Sequence, residues 1–182
     1  MKKYPSILPK RKSSKRLPGY DYCQEGAYFI TICTHKMRNH FGAIDNHIMI
    51  LNSLGKIVET EWYRTGELRV NVEIYDDEFI IMPNHFHGII WIQHVGATGS
   101  VARDNSTGIR PNSLGSIIGQ FKSQVTIRIN KLRGTPGKLV WQRNYYDRII
   151  RNIKEYNDIR NYIQMNPVRW MEKNKSEDNN YK

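Results

Sequence analysis

The chain has 182 residues, of which 39% are apolar and 25% charged, with a formal net charge of +11 at neutral pH. That length suits one domain with a sizeable core, no apolar run approaches the length of a bilayer span, and the start Met1-Lys2-Lys3-Tyr4-Pro5 lacks the apolar stretch of a secretory signal. Only two cysteines occur, Cys23 and Cys33, without metal-ligand spacing; they fit a reducing compartment, so a cytoplasmic location is expected.

The positive charge is uneven. Residues 1–18 hold seven Lys/Arg and no acid, and read as a flexible basic arm. Residues 119–151 hold eight basic side chains against Asp147 alone, whereas residues 19–118 are net −4. Such asymmetry points to a polyanionic partner, nucleic acid first. The plainer alternative is a solubilising arm plus one charged helix face.

In chain order, Ala27-Tyr28-Phe29-Ile30-Thr31-Ile32-Cys33-Thr34 is rich in β-formers and predicts a first strand. A hairpin-like stretch follows, ending in His47-Ile48-Met49-Ile50-Leu51. Asn52 or Ser53 can cap a helix to about residue 64, in which Leu54, Ile57, Val58 and Trp62 form one apolar stripe. Residues 70–82 read as a second strand region, Pro83-Asn84 as a turn, and residues 85–93 as the returning antiparallel strand. Residues 96–112 are rich in Gly, Ser, Thr and Asn and predict a long mobile loop.

Ser113 can cap a helix to about residue 133, with Leu114, Ile117, Ile118, Phe121, Val125, Ile129 and Leu132 at a 3.6-residue period. Lys122, Arg128, Lys131 and Arg133 lie off that stripe and predict a basic outer surface. Gly134-Thr135-Pro136-Gly137 ends the helix, and residues 139–142 are a short strand candidate. A last helix is expected from about residue 149 or 152 to 165, ended by Pro167, with a polar, unstructured tail over 171–182. The order predicts an α+β fold: a ferredoxin-like antiparallel sheet with helices packed on it, plus an added C-terminal helix. Residues 19–170 form the single domain between arm and tail.

His85-Phe86-His87 stands at the start of the returning strand. Side chains two apart on a strand share a face, so the two imidazoles project together and can share one metal ion, while Phe86 anchors the opposite layer. Two polar residues on a solvent face is the competing reading. On the last helix, Tyr162 and Asn166 are four apart and share a face, with Tyr162 at the rim of the buried stripe. A rim tyrosine can pack its ring and still offer its hydroxyl to a cleft; most tyrosines simply pack. Taken alone, Asn166 is a helix-terminal residue imposed by Pro167. Tyr145, Tyr146, Trp141 and Arg143 suit base stacking and phosphate contact. Tyr156 falls on the apolar stripe and is expected in the core. His94 falls on the opposite face by alternation and is excluded as a ligand. Asp76-Asp77-Glu78 reads as a solvated turn rather than a carboxylate metal site. No Gly-rich phosphate-cradling loop with a lysine is present, so no nucleotide cofactor is expected.

Three blocks then stand in order: Met82-Pro83-Asn84-His85-Phe86-His87-Gly88, Trp141-Gln142-Arg143-Asn144-Tyr145-Tyr146-Asp147, and Tyr162-Ile163-x-x-Asn166-Pro167-Val168. Together they resemble the single-tyrosine transposases of the HUH endonuclease superfamily, most of all the REP-associated tyrosine transposases. The resemblance spans residues 18–170 and includes Pro18-Gly19-Tyr20-Asp21-Tyr22. It implies His85 and His87 as metal ligands and Tyr162 as the catalytic nucleophile. Asn166 stands where related enzymes place a glutamine that ligates or assists the metal, directly or through water. It implies cleavage of single-stranded DNA, often beside a hairpin, through a 5′-phosphotyrosine, with a divalent metal (Mg2+ or Mn2+) as cofactor. Relatives occur as monomers and as homodimers. Lys122, Arg128, Lys131, Arg143, Tyr145 and Arg148 are the expected nucleic-acid contacts. The chemistry agrees with this set: a phenol of pKa about 10 is a poor nucleophile at neutral pH, and a metal can polarise the phosphate it attacks. A reading from another class also stands, in which the scaffold binds nucleic acid without catalysis.

Overall fold

The computed structural model describes residues 20–93 and 112–178. The expected basic arm, His94 and the predicted loop up to residue 111 lie outside the described residues. Strand β1 (Gly26–Cys33) opens the fold, followed by the hairpin β2 (Gly42–Asp45) and β3 (Ile48–Leu51) and by helix α1 (Ser53–Glu67). Then come β4 (Val72–Glu73), β5 (Phe79–Met82), β6 (His85–Ile92), α2 (Leu114–Arg133), β7 (Tyr146–Ile150), α3 (Ile153–Gln164) and α4 (Asn166–Asp178). No helix among the described residues is long and apolar enough to cross a membrane.

The main sheet runs β4-β6-β1-β7, with β5 also paired to β6, and every pairing is antiparallel. With β4 and β5 counted as one interrupted strand, the order second-third-first-fourth is the ferredoxin-like split βαβ arrangement, as expected. Both faces of the sheet are covered, which is why β1 reads as continuously apolar. Tyr28, Ile30 and Ile32 face α1 and α2; Ala27 and Phe29 face α3. Trp62 on α1 knits the first layer, its ring centroid 4.7 Å from Phe86 and 5.2 Å from Phe121. Gly88 makes room for this, because a Cβ there would sit 2.9 Å from the Phe86 ring and 3.0 Å from Trp62.

The helix ends follow sequence chemistry. Asn52 accepts from the N–H groups of Leu54 (2.9 Å) and Gly55 (3.0 Å), Ser113 from Ser116 (3.3 Å) and Asn152 from Glu155 (2.9 Å). Gly134 closes α2 in the left-handed region at φ 63°.

Three expectations are corrected. The strand region over 70–82 is split, because Asp76–Glu78 turns as a 3-10 helix between β4 and β5. Residues 139–142 form no strand; Val140 and Trp141 sink into the core and only a bridge joins Trp141 to Thr34. The fourth strand is β7, whose polar Asp147 and Arg148 hid it in the sequence; an edge strand tolerates such residues. Beyond Pro167 the chain does not trail away. Pro167 stops α3 but occupies the first turn of α4, where its missing N–H has no partner to lose.

Gly55 gives a test of packing against propensity. Helix propensity alone makes Gly55→Ala stabilising by about 1 kcal/mol. Its Cβ, however, would collide with the Phe41 carbonyl oxygen and lie 2.9 Å from Leu51. Urea denaturation is expected to show a loss of roughly 1–3 kcal/mol. Gly119→Ala, whose Cβ meets nothing within 4 Å, is expected to show a small gain.

Candidate active site

The antiparallel pairing of β1 with β6 sets Thr31 opposite His87 and Cys33 opposite His85. Phe86 points into the other layer and is fully buried. The two imidazoles stand with ring centroids 4.6 Å apart. His87 is 3% exposed, stacks on Phe29 at 5.4 Å, and its Nδ1 lies 2.8 Å from Thr31 Oγ1. His85 Nδ1 lies 2.7 Å from Asn84 Oδ1, and its ring faces Trp170 at 5.8 Å. Burial pushes the His85 pKa down to about 4, only partly opposed by a hydrogen bond with Asn166. Burial, then the neighbouring His85, holds His87 well below its ordinary value. Both rings are therefore neutral at neutral pH, and each has its Nδ1 engaged.

Helix α3 brings the second half. Ile159 and Ile163 bury themselves against Ala27, Phe29 and Ile89. Glu78, 2% exposed, accepts from Trp91 Nε1 on β6 (2.7 Å) and from the Tyr156 hydroxyl on α3 (2.5 Å). Burial and that carboxylate push the Tyr156 pKa up to about 12. Asp77 pairs with Arg160 one turn further along. Asp76 and Asp77 stand exposed on a turn, as expected, but Glu78 is buried and, with Asp77, clamps α3. Tyr156, expected in the core, packs its ring on Trp91 and ends in this hydrogen bond.

So held, α3 presents Tyr162 half-buried, its hydroxyl 3.4 Å from His87 Nε2 and its ring edge-on to Phe29 at 6.1 Å. Asn166, 6% exposed, hydrogen-bonds with both His85 and Tyr162. Arg169 on α4 lies over the Tyr162 ring, 5.1 Å from its centroid. Burial raises the Tyr162 pKa, while the Asn166 hydrogen bond and the Arg169 charge pull it back. His85, His87, Tyr162 and Asn166, far apart in sequence, thus converge in one chain. Sequence reading missed Thr31, Glu78, Arg169 and Trp170. Only knowledge of strand register would have singled out Thr31.

The donor set suits a divalent ion. Two neutral imidazoles and one amide leave coordination positions open, and a hydrogen-bonding partner at Nδ1, which each ring has, is what metal-binding histidines have. Among the described residues, no group of three or more His, Cys, Asp or Glu is placed to hold a metal ion, so any site here rests on the two imidazoles and the Asn166 amide.

The expected nucleic-acid contacts divide into two sets. Lys122 Nζ donates to the carbonyls of Gln142 (2.8 Å) and Arg143 (2.9 Å). Arg128 pairs with the buried carboxylate of Glu61 at 2.6 Å, and Arg148 pairs with Glu155. These three have partners within the fold; long side chains at the margin of an apolar stripe can reach back in this way. Lys131 and Arg143 are exposed, and Tyr145 is half-buried against the core.

A ferredoxin-like sheet bearing paired histidines, with a tyrosine helix laid across them, defines the class of fold. The same fold is found in a solved REP-associated tyrosine transposase bound to a REP hairpin (TM-score 0.55, 19% identity, 86% of this chain and 73% of that one). In sequence, 174 residues are 41% identical to an uncharacterized protein of Haemophilus influenzae, over 92% of this chain and 94% of that protein. The chain belongs to the same family as that Haemophilus protein. No protein-family profile matches it.

The Glu78 clamp can be tested directly. Glu78→Ala leaves two donors without an acceptor, and is expected to cost roughly 2 kcal/mol in urea denaturation and to raise hydrogen exchange in α3. Glu78→Gln keeps one acceptor oxygen and should lose about half as much.

Proposed function

We propose that the protein is a metal-dependent transesterase that cuts and rejoins single-stranded DNA, with Tyr162 as nucleophile. The observation that carries this reading is the 3.4 Å approach of the Tyr162 hydroxyl to His87 Nε2, beside His85 and Asn166. The fold shared with a transposase whose structure holds a REP hairpin supports a hairpin-bearing DNA as substrate.

His85 and His87, with Asn166, would hold a divalent cation, Mg2+ or Mn2+. Imidazole ligands make Mn2+ the better-tolerated ion. When bound, the ion polarises the scissile phosphate and stabilises the charge that develops on it. Tyr162 Oη attacks phosphorus, forming a Tyr–O–P bond as the P–O3′ bond breaks. The phenol's proton leaves, the departing 3′ oxygen takes one up, and the phosphodiester count is unchanged. The 5′-phosphotyrosine can therefore be attacked by another 3′-hydroxyl and rejoin DNA without a nucleotide cofactor.

Asn166 aligns the phenol through its hydrogen bond. Arg169 pairs with no described carboxylate, so its guanidinium is available to a phosphate oxygen beside Tyr162. Thr31 fixes the His87 ring so that Nε2 faces the phenol. One chain supplies both halves of the site, which supports cleavage within a single subunit.

Incubation with Mn2+ and labelled single-stranded hairpin DNA is expected to trap a covalent protein–DNA adduct resistant to denaturation. Tyr162→Phe should abolish it while leaving DNA affinity intact; an undiminished adduct refutes the assignment. Thr31→Val should leave the fold intact and weaken Mn2+ binding about 10–100-fold, read by titration calorimetry.

A further inference from the structure

A groove runs along the outer side of α2, facing residues 134–145. Its inner part is a cavity of about 730 Å3 whose lining includes Gly119, Lys122, Gln142, Asn144 and Asp147. Its outer part, about 570 Å3, is bordered by Lys131, Pro136 and Lys138. Thr126, Ile127 and Leu139 line both, so the two form one channel.

The channel has three chemical zones. Its floor is apolar and uncovered, with Ile127 56% and Leu139 64% exposed. Its rim is basic, with Lys131, Lys138 and Arg143 all exposed. Its inner end offers the amides of Gln142 and Asn144 and the carboxylate of Asp147. Apolar surface for base faces, cations for phosphates and amide or carboxylate groups for base edges together match an unpaired nucleotide strand. A duplex keeps its base faces stacked and unavailable to such a floor. The basic rim also repels the chain's own residues 1–18, with seven Lys/Arg and no acid.

The channel adjoins the candidate active site. The Gln142 N–H donates to the Cys33 carbonyl (2.9 Å), and Cys33 pairs with His85. Edge strand β7, which carries Asp147, pairs with β1 so that Tyr146 stands opposite Thr31. We infer that this channel holds an extended single-stranded segment of the DNA, with base edges read at Gln142, Asn144 and Asp147. The inference rests on the DNA reading above and adds where the unpaired strand runs.

Gly119 supplies the test, because a side chain there enters open space. Anisotropy titrations of the full chain, in EDTA so that no cleavage occurs, use a labelled single strand of about 16 nucleotides. Gly119→Leu is expected to weaken binding about tenfold with an unchanged or higher Tm, and Gly119→Ala to bind nearly as wild type. Lys131→Glu with Lys138→Glu should also weaken binding and lower the salt slope by about 1.4. Equal affinity of Gly119→Leu and wild type overturns the inference. So does equal affinity for a duplex of the same sequence, or displacement of the strand by polyglutamate as readily as by DNA. The wild-type adduct assay decides catalysis separately. An adduct with Gly119→Leu binding undiminished removes the channel and keeps the transesterase. Channel-dependent binding without an adduct keeps the channel and removes the transesterase.

Discussion

The carboxylate of Glu78 joins the two halves of the candidate site. Burying a carboxylate is costly unless donors meet it, and here two do, one from the sheet (Trp91) and one from α3 (Tyr156). The hydrophobic contact under α3 is small, centred on Ile159 and Ile163, and would by itself allow the helix to rotate or slide. A hydrogen bond to Tyr156 removes that freedom. Six residues of helix advance about 9 Å and turn about 240° in net rotation, so fixing Tyr156 also fixes where Tyr162 emerges. The geometry at His87 is therefore set partly by a hydrogen bond to Glu78 further back along the same helix.

The histidine pair was legible because a strand has a period of two, and nothing beyond local sequence is needed to put both rings on one face. Tyr162 was legible from a helical period; Asn166, which that period put on the same helix, instead opens α4 yet still meets Tyr162. What escaped depends on long-range pairing. Thr31 looks like any strand threonine until register places it against His87. Glu78 sits behind two other acids, and only the approach of Trp91 and Tyr156 distinguishes it from a solvated residue. β7 was missed because residues 139–142 are more apolar than 146–150; Val140 and Trp141 enter the core from irregular backbone instead.

The same distinction governs the charge. Position off the apolar stripe of α2 was taken to mean exposure, yet Lys122 and Arg128 turn back to backbone carbonyls and to Glu61. Lys122 in particular holds residues 142–144 in place, so it shapes the wall of the α2 channel rather than its rim. The cations left to an outside polyanion on this side, Lys131, Lys138 and Arg143, are fewer than the composition suggests, but they border a single apolar channel. A count of basic residues points to an anionic partner; the internal contacts say which of those residues are left to face one.

Burial acts on the site in opposite directions. It keeps His85 and His87 neutral, the state in which an imidazole can donate a lone pair. It also raises the Tyr162 pKa, which disfavours the phenolate that the proposed attack requires. A wetter site would ease ionisation of the phenol and protonate the histidines at mildly acid pH. Positive charge placed between the groups resolves the conflict, because it favours the phenolate and is compatible with neutral imidazoles. Arg169, over the Tyr162 ring, supplies one such charge from the protein itself, and a cation held by the two imidazoles would supply a second. A dry site is thus suited to the proposed chemistry only in the company of cations, and Arg169 is the one the side chains around Tyr162 provide.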